Sequence, residues 1–227
     1  TVILEQFFRG YLPGFGKNYD VFFVPIPVSE PMGKVESGLL SLSRPIPSSI
    51  TRYAFPGNYS WPMSLFMLDR CFLVNRYPLS NGKEPIVANT HNSAYDDGTL
   101  RKQQMDFLKK FLLGESEKGN YVVVGGDWNQ TPYGLDPKQL DQPFDTINLA
   151  WLEQGYPAEG WTWAFDRTMP SNRRVSVPYT RGSSLTTVID GFLLSPNVRL
   201  EKVKTHDVNF QYSDHQPVEL QISLIPE

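Results

Sequence analysis

Apolar residues in this chain come in short runs, each closed within a few positions by Pro, Gly, Asn or Asp, and only one stretch carries a helical period. That punctuation, with 19 prolines and 17 glycines, predicts a strand-rich domain with many loops. Candidate strands lie at 20–25, 38–43, 65–74, 86–90, 121–125, 184–195 and 218–224. Phe22-Phe23-Val24 and Val122-Val123-Val124 are unbroken apolar runs, the pattern of strands covered on both faces. The helical stretch has Leu100, Phe107, Leu108, Phe111 and Leu112 on one stripe. Asp96, Asp97 or Thr99 can cap its start, and Gly114 suits its end. A second helix is expected near 144–154, and 155–183 reads as one long loop.

A chain of 227 residues buries enough surface to need neither disulfide nor structural zinc, and its single Cys71 could supply neither. No linker divides it, so residues 1–227 read as one domain, expected to be a monomer. No run reaches the ~20 apolar residues of a membrane span, so the chain reads as soluble, with a secreted or periplasmic placement left open. The chain opens on Thr1 directly into Val2-Ile3-Leu4, which reads as an N-terminal truncation by processing or cropping. The net charge of −3 offers no strong basic patch for duplex DNA. The densest positive group is Arg173-Arg174, with Arg167 and Arg181 nearby. A small phosphorylated substrate or a single-stranded nucleic acid is the better-supported partner.

Four polar groupings interrupt the strands. Tyr121 to Asn129 is an apolar strand running through Gly125-Gly126 into Asp127-Trp128-Asn129. Alternation along an extended chain puts Asp127 and Asn129 on one side and Trp128 on the other. A carboxylate and a carboxamide so placed can orient a water and contact a phosphoryl oxygen; a strand followed by an Asx-turn fits the same residues. Asp190 breaks the apolar stretch Val188-Ile189-Asp190-Gly191-Phe192; it is either a strand-end acid facing water or a buried carboxylate that needs a partner, for which a histidine is natural. Ser213-Asp214-His215 stands just before the last strand, as either a cleft loop or a turn. Asn89-Thr90-His91 ends another strand, with His91 placed to donate to a phosphate or to serve structure alone. Trp161, Trp163 and Tyr179, with the nearby arginines, could form a specificity loop or pack that loop onto the core. Asn58-Tyr59-Ser60 and Asn129-Gln130-Thr131 fit the N-glycosylation pattern, and a glycan on Asn129 would block the site, so Asn129 is expected unmodified.

In this order the groupings resemble the endonuclease/exonuclease/phosphatase superfamily over roughly residues 20–224. Ser37-Gly38-Leu39-Leu40-Ser41-Leu42-Ser43-Arg44 is similar to its Gly-hydrophobic-Leu-Ser-Arg strand, and Asn89-Thr90-His91 to its Asn-Thr-His strand. Arg101 and Gln104 match an Arg-x-x-Gln helix start. Gly126-Asp127-Trp128-Asn129 resembles Gly-Asp-Phe-Asn, Ile189-Asp190-Gly191-Phe192 resembles Ile-Asp-Tyr-Ile, and Ser213-Asp214-His215 matches Ser-Asp-His. The resemblance implies an α+β fold, a two-sheet β-sandwich flanked by helices in four α/β/β/α layers, and hydrolysis of phosphodiesters or phosphomonoesters. It implies Mg²⁺ or Mn²⁺ as cofactor, with Asp214 at the metal. By the same resemblance Asp127 orients or deprotonates the water, Asn129 contacts the phosphate, and His215, oriented by Asp190, holds the phosphoryl group or moves a proton. His91 would contact the phosphate or assist the leaving group.

Two departures from the family pattern stand out. The family's first, Asn-bearing strand is missing, and Val2-Ile3-Leu4-Glu5-Gln6 reverses the family's Gln-Glu, whose Glu is the main metal ligand. Glu5 is either that ligand or part of a leading helix at 2–12. Thr186 and Thr187 stand where a basic residue is usual. A catalytically inactive module that binds a phosphorylated ligand on the same fold is the alternative function.

Overall fold

Where the sequence alternates or runs apolar, strands form, and they fall into two compact units, residues 1–111 and 112–227. The structure is a computed structural model that describes residues 14–24, 33–57, 60–61, 70–94, 96–146 and 149–226. Glu5, Asn58 and the reading of a helix at 2–12 lie outside the described residues.

In the first unit, β1 (Gly14–Val24) and β2 (Gly33–Ser43) pair antiparallel from Gly14 opposite Ser43 to Val24 opposite Gly33. Strand β3 (Ser49–Ala54) pairs with β4 (Cys71–Arg76), and β4 with β5 (Pro85–His91), again antiparallel. All of β4 but Arg76 is buried, as its unbroken Cys-Phe-Leu-Val-Asn run requires. In β5 the buried residues are Ile86, Ala88 and Thr90, so the alternate positions, including Asn89 and His91, lie on the other face. Helix α1 (Thr99–Glu117) starts where expected. The Asp97 carboxylate accepts the Thr99 amide at 2.9 Å, and Asp96 accepts those of Gly98 and Arg101 at 3.0 Å each. Phe107 and Phe111 bring the apolar stripe onto β3 and β4: Phe72 lies 5.2 Å from Phe111 and stacks on Tyr53 at 4.9 Å, between ring centroids. Gln104, nearly inaccessible, accepts the Ser93 amide at 2.9 Å and donates to its hydroxyl at 2.8 Å, which pins the turn after β5.

Helix α1 runs past Gly114 and ends instead at Gly119, whose φ of 78° only glycine adopts without strain. The extra turn is held by Glu115, whose buried carboxylate accepts Asn120 Nδ2 at 2.7 Å and Lys118 Nζ at 2.9 Å. Those charge-assisted bonds outweigh the cost of about 1 kcal/mol for a glycine inside a helix.

In the second unit, β10 (Asp190–Leu194) lies between β6 (Tyr121–Asp127) and β7 (Thr162–Ala164), antiparallel to both. Strands β11 (Val198–Thr205) and β12 (Val218–Leu224) form a separate antiparallel pair, and β8 (Asn172–Arg173) pairs with β9 (Thr186–Thr187). Tyr121, Val123, Ala164, Leu194 and Val198 pack with Phe192, Leu200, Val203, Leu220 and Leu224, so the β6–β10–β7 strands face the β11–β12 pair across one apolar layer. Here the expectation of two packed sheets is met.

Three local expectations are corrected. Among the described residues, 144–154 holds no helix. Phe144 bridges to Thr186 and Trp151 to Thr131, so backbone groups that a helix would have satisfied are taken by distant strands. The loop 155–183 contains β7 and β8. The strand expected at 65–74 is observed from Cys71, and 62–69 lies outside the described residues.

Close packing across β10 depends on two glycines. The Phe192 ring lies over Gly125, its cross-strand partner, where an added Cβ would come within 2.6 Å of Cε1, and the Phe165 ring covers Gly191 in the same way. Gly125→Ala and Gly191→Ala are therefore each expected to cost about 1–3 kcal/mol through overpacking. Urea unfolding checks this: the midpoint falls while the slope stays constant, and an unchanged midpoint would refute the packing assigned to these rings.

Candidate active site

The pairing of β6 with β10 puts Asp127 directly opposite Asp190. Extension of the ladder by one bond, from the Trp128 amide to the Ile189 carbonyl at 3.0 Å, fixes that register at its end. Trp128 faces away from the acids and is 0% exposed; its indole Nε1 donates to the Gly191 carbonyl at 3.1 Å and its ring meets Trp163 edge-on at 4.7 Å. Asn129 then turns into the left-handed region at φ 49°, which Asn tolerates better than most side chains. Its amide N–H donates to Asp127 Oδ1 at 2.8 Å and its Nδ2 to Oδ2 at 3.3 Å. The Asx-turn that competed with a functional reading is thus present, and it is what aims the Asp127 carboxylate.

Asp190 receives its histidine. His215 Nδ1 lies 2.9 Å from Asp190 Oδ2, and Nε2 of the same ring lies 3.8 Å from Asp127 Oδ2. Ligand atoms of Asp127, Asp190 and His215 all lie within 4.8 Å of one another, and all three side chains are half-buried. The loop that delivers His215 is held by its neighbours. Ser213 Oγ accepts the His215 amide at 3.0 Å, the Asp214 carbonyl accepts the amide of Arg173 at 2.9 Å, and the Gln216 amide donates to the Ser171 carbonyl at 2.8 Å. Ser171 Oγ in turn accepts the amides of Ile189 and Asp190, both at 3.0 Å. Ser171 is fully buried and links β10 to the loop that carries His215, yet nothing in its sequence setting distinguishes it.

Asn172 is the other residue absent from the sequence reading. Its Nδ2 donates to the Asp214 carbonyl at 3.1 Å and lies 3.0 Å from His215 Nε2, while its Oδ1 accepts the Thr187 hydroxyl at 3.2 Å. Thr187, one of the two residues standing where a basic side chain was anticipated, therefore orients an amide. Asp214 contributes mainly through its backbone; its half-buried side chain lies outside the three-residue cluster and accepts from Ser213 Oγ at 3.5 Å. His91 ends β5 in the first unit, half-buried, and is described there only. Trp163 is packed among Trp128, Tyr156 and Phe165, and Tyr179 lies 4.9 Å from Phe210, so these two aromatics pack their loop onto the core. Arg174 is paired with Asp145 at 3.0 Å, and Arg181 with Asp207 at 2.6 Å and Asp141 at 3.1 Å, which ties down much of the local positive charge.

Burial alone would push the His215 imidazole down. The hydrogen bond to Asp190 and the negative charges of Asp190, Asp127 and Asp214 outweigh it and raise the ring from 6.5 to about 9. The Asn172 amide works the other way, since an N–H can donate to Nε2 only when the ring is neutral. Three carboxylates around one ring exceed a single neutral hydrogen bond, so the ring is cationic near pH 7 in the metal-free protein. In that state it donates to Asp190 through Nδ1 and presents Nε2–H toward the space beside Asp127. The carboxylates of Asp127 and Asp190 offer oxygen donors of the kind that suit a hard divalent cation.

A profile of the Endonuclease/Exonuclease/phosphatase family matches residues 6–215. No match is found among curated proteins. Among solved structures, an endonuclease/exonuclease/phosphatase from Beutenbergia cavernae superposes with a TM-score of 0.61 at 16% identity, over 98% of this chain and 57% of that one. Truncated TDP2 of Caenorhabditis elegans gives 0.53 at 13% identity over 96% and 77%, and a mannosyl-6-phosphatase of Bacteroides thetaiotaomicron gives 0.51 at 14% over 98% and 82%. This chain thus spans a little over half the length of the first of these. At such identities the likeness is one of fold.

A ring that binds its proton more tightly when folded stabilises the fold fully below pH 6.5 and loses that contribution as pH rises toward 9. NMR titration of the His215 ring in metal-free protein is expected to give a midpoint near 9, and Asp190→Asn to lower it by about 1 unit or more. A midpoint at or below 6.5 would contradict the assigned carboxylate surroundings.

Proposed function

The chain belongs to the endonuclease/exonuclease/phosphatase family, and on that premise we propose that it hydrolyses phosphate esters by direct attack of a water activated at Asp127. The observation that carries the reading is the convergence of Asp127, Asp190 and His215 within 4.8 Å on strand ends far apart in sequence. A structural role alone gives no reason to hold two acids face to face at the cost of their repulsion.

The Asp127 carboxylate, aimed by the Asn129 amide, takes the proton of the attacking water as its oxygen bonds to phosphorus and the bond from phosphorus to the ester oxygen breaks, releasing the alcohol. Nε2–H of His215 and the amide of Asn129 contact the phosphoryl oxygens on which negative charge grows. Asp190 acts through His215, keeping the ring oriented and its charge stabilised. His91 keeps the role implied by its Asn-Thr-His strand, contact with the phosphate or assistance to the leaving group. A hard divalent cation, Mg²⁺ or Mn²⁺, with Asp214 among its ligands, would neutralise phosphoryl charge when bound. The substrate is a small phosphorylated molecule or the end of a single-stranded nucleic acid. The net charge of −3 and the pairing of Arg174 and Arg181 with acids support this over duplex DNA. The likeness in fold to a mannosyl-6-phosphatase makes a sugar phosphate a natural first assay.

Phosphate release from a panel of sugar phosphates, nucleotides and aryl phosphates is expected to require added Mg²⁺ or Mn²⁺ and to stop with EDTA. Asp127→Ala is expected to lower kcat by about 10²–10⁴-fold. Full activity in that variant would remove the mechanism, and phosphate binding without any turnover would assign the chain to a ligand-binding module instead.

A further inference from the structure

Asn172 is held more tightly than its surroundings explain. Its carbonyl oxygen accepts the Thr187 hydroxyl at 3.2 Å and its NH₂ donates to the Asp214 carbonyl at 3.1 Å, so the amide cannot turn over without setting its oxygen against another acceptor. The isolated backbone bridge between Asn172 and His215 fixes the two residues side by side. The remaining N–H is therefore aimed at the face of the His215 ring that carries Nε2, 3.0 Å away, and Nε2 itself looks toward Asp127.

Two nitrogens 3.0 Å apart on one face leave a position about 2.8–3.0 Å from both, the distance at which an oxygen accepts from each. An anionic oxygen there accepts from the Asn172 N–H and from the Nε2–H of the protonated ring alike. Building on the phosphoesterase reading, we infer that Asn172 is a further substrate-binding residue, donating from Nδ2 to the same phosphoryl oxygen that His215 Nε2 reaches. The amide is oriented before substrate arrives, by Thr187 from β9 and by the Asp214 backbone, so the contact carries little ordering cost. That arrangement also gives a use to Thr187, which stands where a cationic side chain was expected: a neutral, oriented donor occupies the place of a charge.

Inorganic phosphate is the probe, titrated into the full chain labelled with ¹⁵N. The Asn172 side-chain NH₂ pair, identified by its disappearance in Asn172→Ala, is expected to shift as phosphate saturates, and Asn172→Ala to bind phosphate about ten-fold more weakly. Thr187→Val, which frees the amide without removing it, is expected to weaken binding in the same direction and by less. A merely structural role would lower the melting temperature of Asn172→Ala but leave phosphate affinity in the folded protein unchanged. Equal affinity in wild type and Asn172→Ala, a stationary NH₂ pair, or no phosphate binding by the folded wild type each overturns the assignment. Hydrolysis of an aryl phosphate, measured alongside, separates the two proposals. Turnover with unaltered phosphate binding in Asn172→Ala removes this inference alone, whereas phosphate held through Asn172 without turnover removes the hydrolytic reading alone.

Discussion

Two carboxylates set opposite each other on adjacent strands repel, and in the low dielectric of a half-buried site one of them would ordinarily take up a proton. Between Asp127 and Asp190 stands the His215 imidazole, 2.9 Å from one and 3.8 Å from the other. The ring's elevated affinity for its proton comes from the acids gathered around it. The rest of the second unit serves it. The β6–β10 register sets the acids opposite each other, Ser171 ties β10 to the loop that returns the histidine, and buried Trp128 anchors the short segment between Asp127 and Asn129.

The division of labour along 125–129 follows from strand alternation. Glycine at 125 admits the Phe192 ring closely, Asp127 and Asn129 turn toward the site, and Trp128 turns toward the core. Binding energy from the indole, which buries its whole surface and satisfies its only donor, offsets the repulsion and the left-handed backbone on either side of it. Chemistry and packing alternate residue by residue, so no position in this segment serves both.

Much of this was legible in the chain itself. Alternation gave the shared side of Asp127 and Asn129, and a buried carboxylate at Asp190 demanded a partner that proved to be His215. What escaped notice acts through backbone partners far away in sequence. Ser171 and Asn172 lie in a stretch without periodicity, and their importance comes from bonds to Asp190, Thr187 and Asp214. Strand β11 hid because a bulge between Leu200 and Lys202 breaks its alternation. The helix expected at 144–154 lost to pairing of Phe144 with Thr186 and of Trp151 with Thr131, a choice that only the tertiary fold can make. The end of α1 was misplaced because Gly114 looks like a stop, while the acid that carries the helix beyond it, Glu115, reveals its partners only in three dimensions.

The pairing of Asp190 with Asp127 also bears on how the second unit assembles. Side chains alternate with a period of two, so a slip of β10 by a single position would turn Asp190 to the opposite face, among buried Val122 and Val124, and strand it from its imidazole. A misaligned sheet would thus bury an unneutralised acid, at a cost comparable with the stability of a whole small domain's margin. The same two acids thus act during assembly as a proofreading device, admitting one alignment of the strands and rejecting its neighbours.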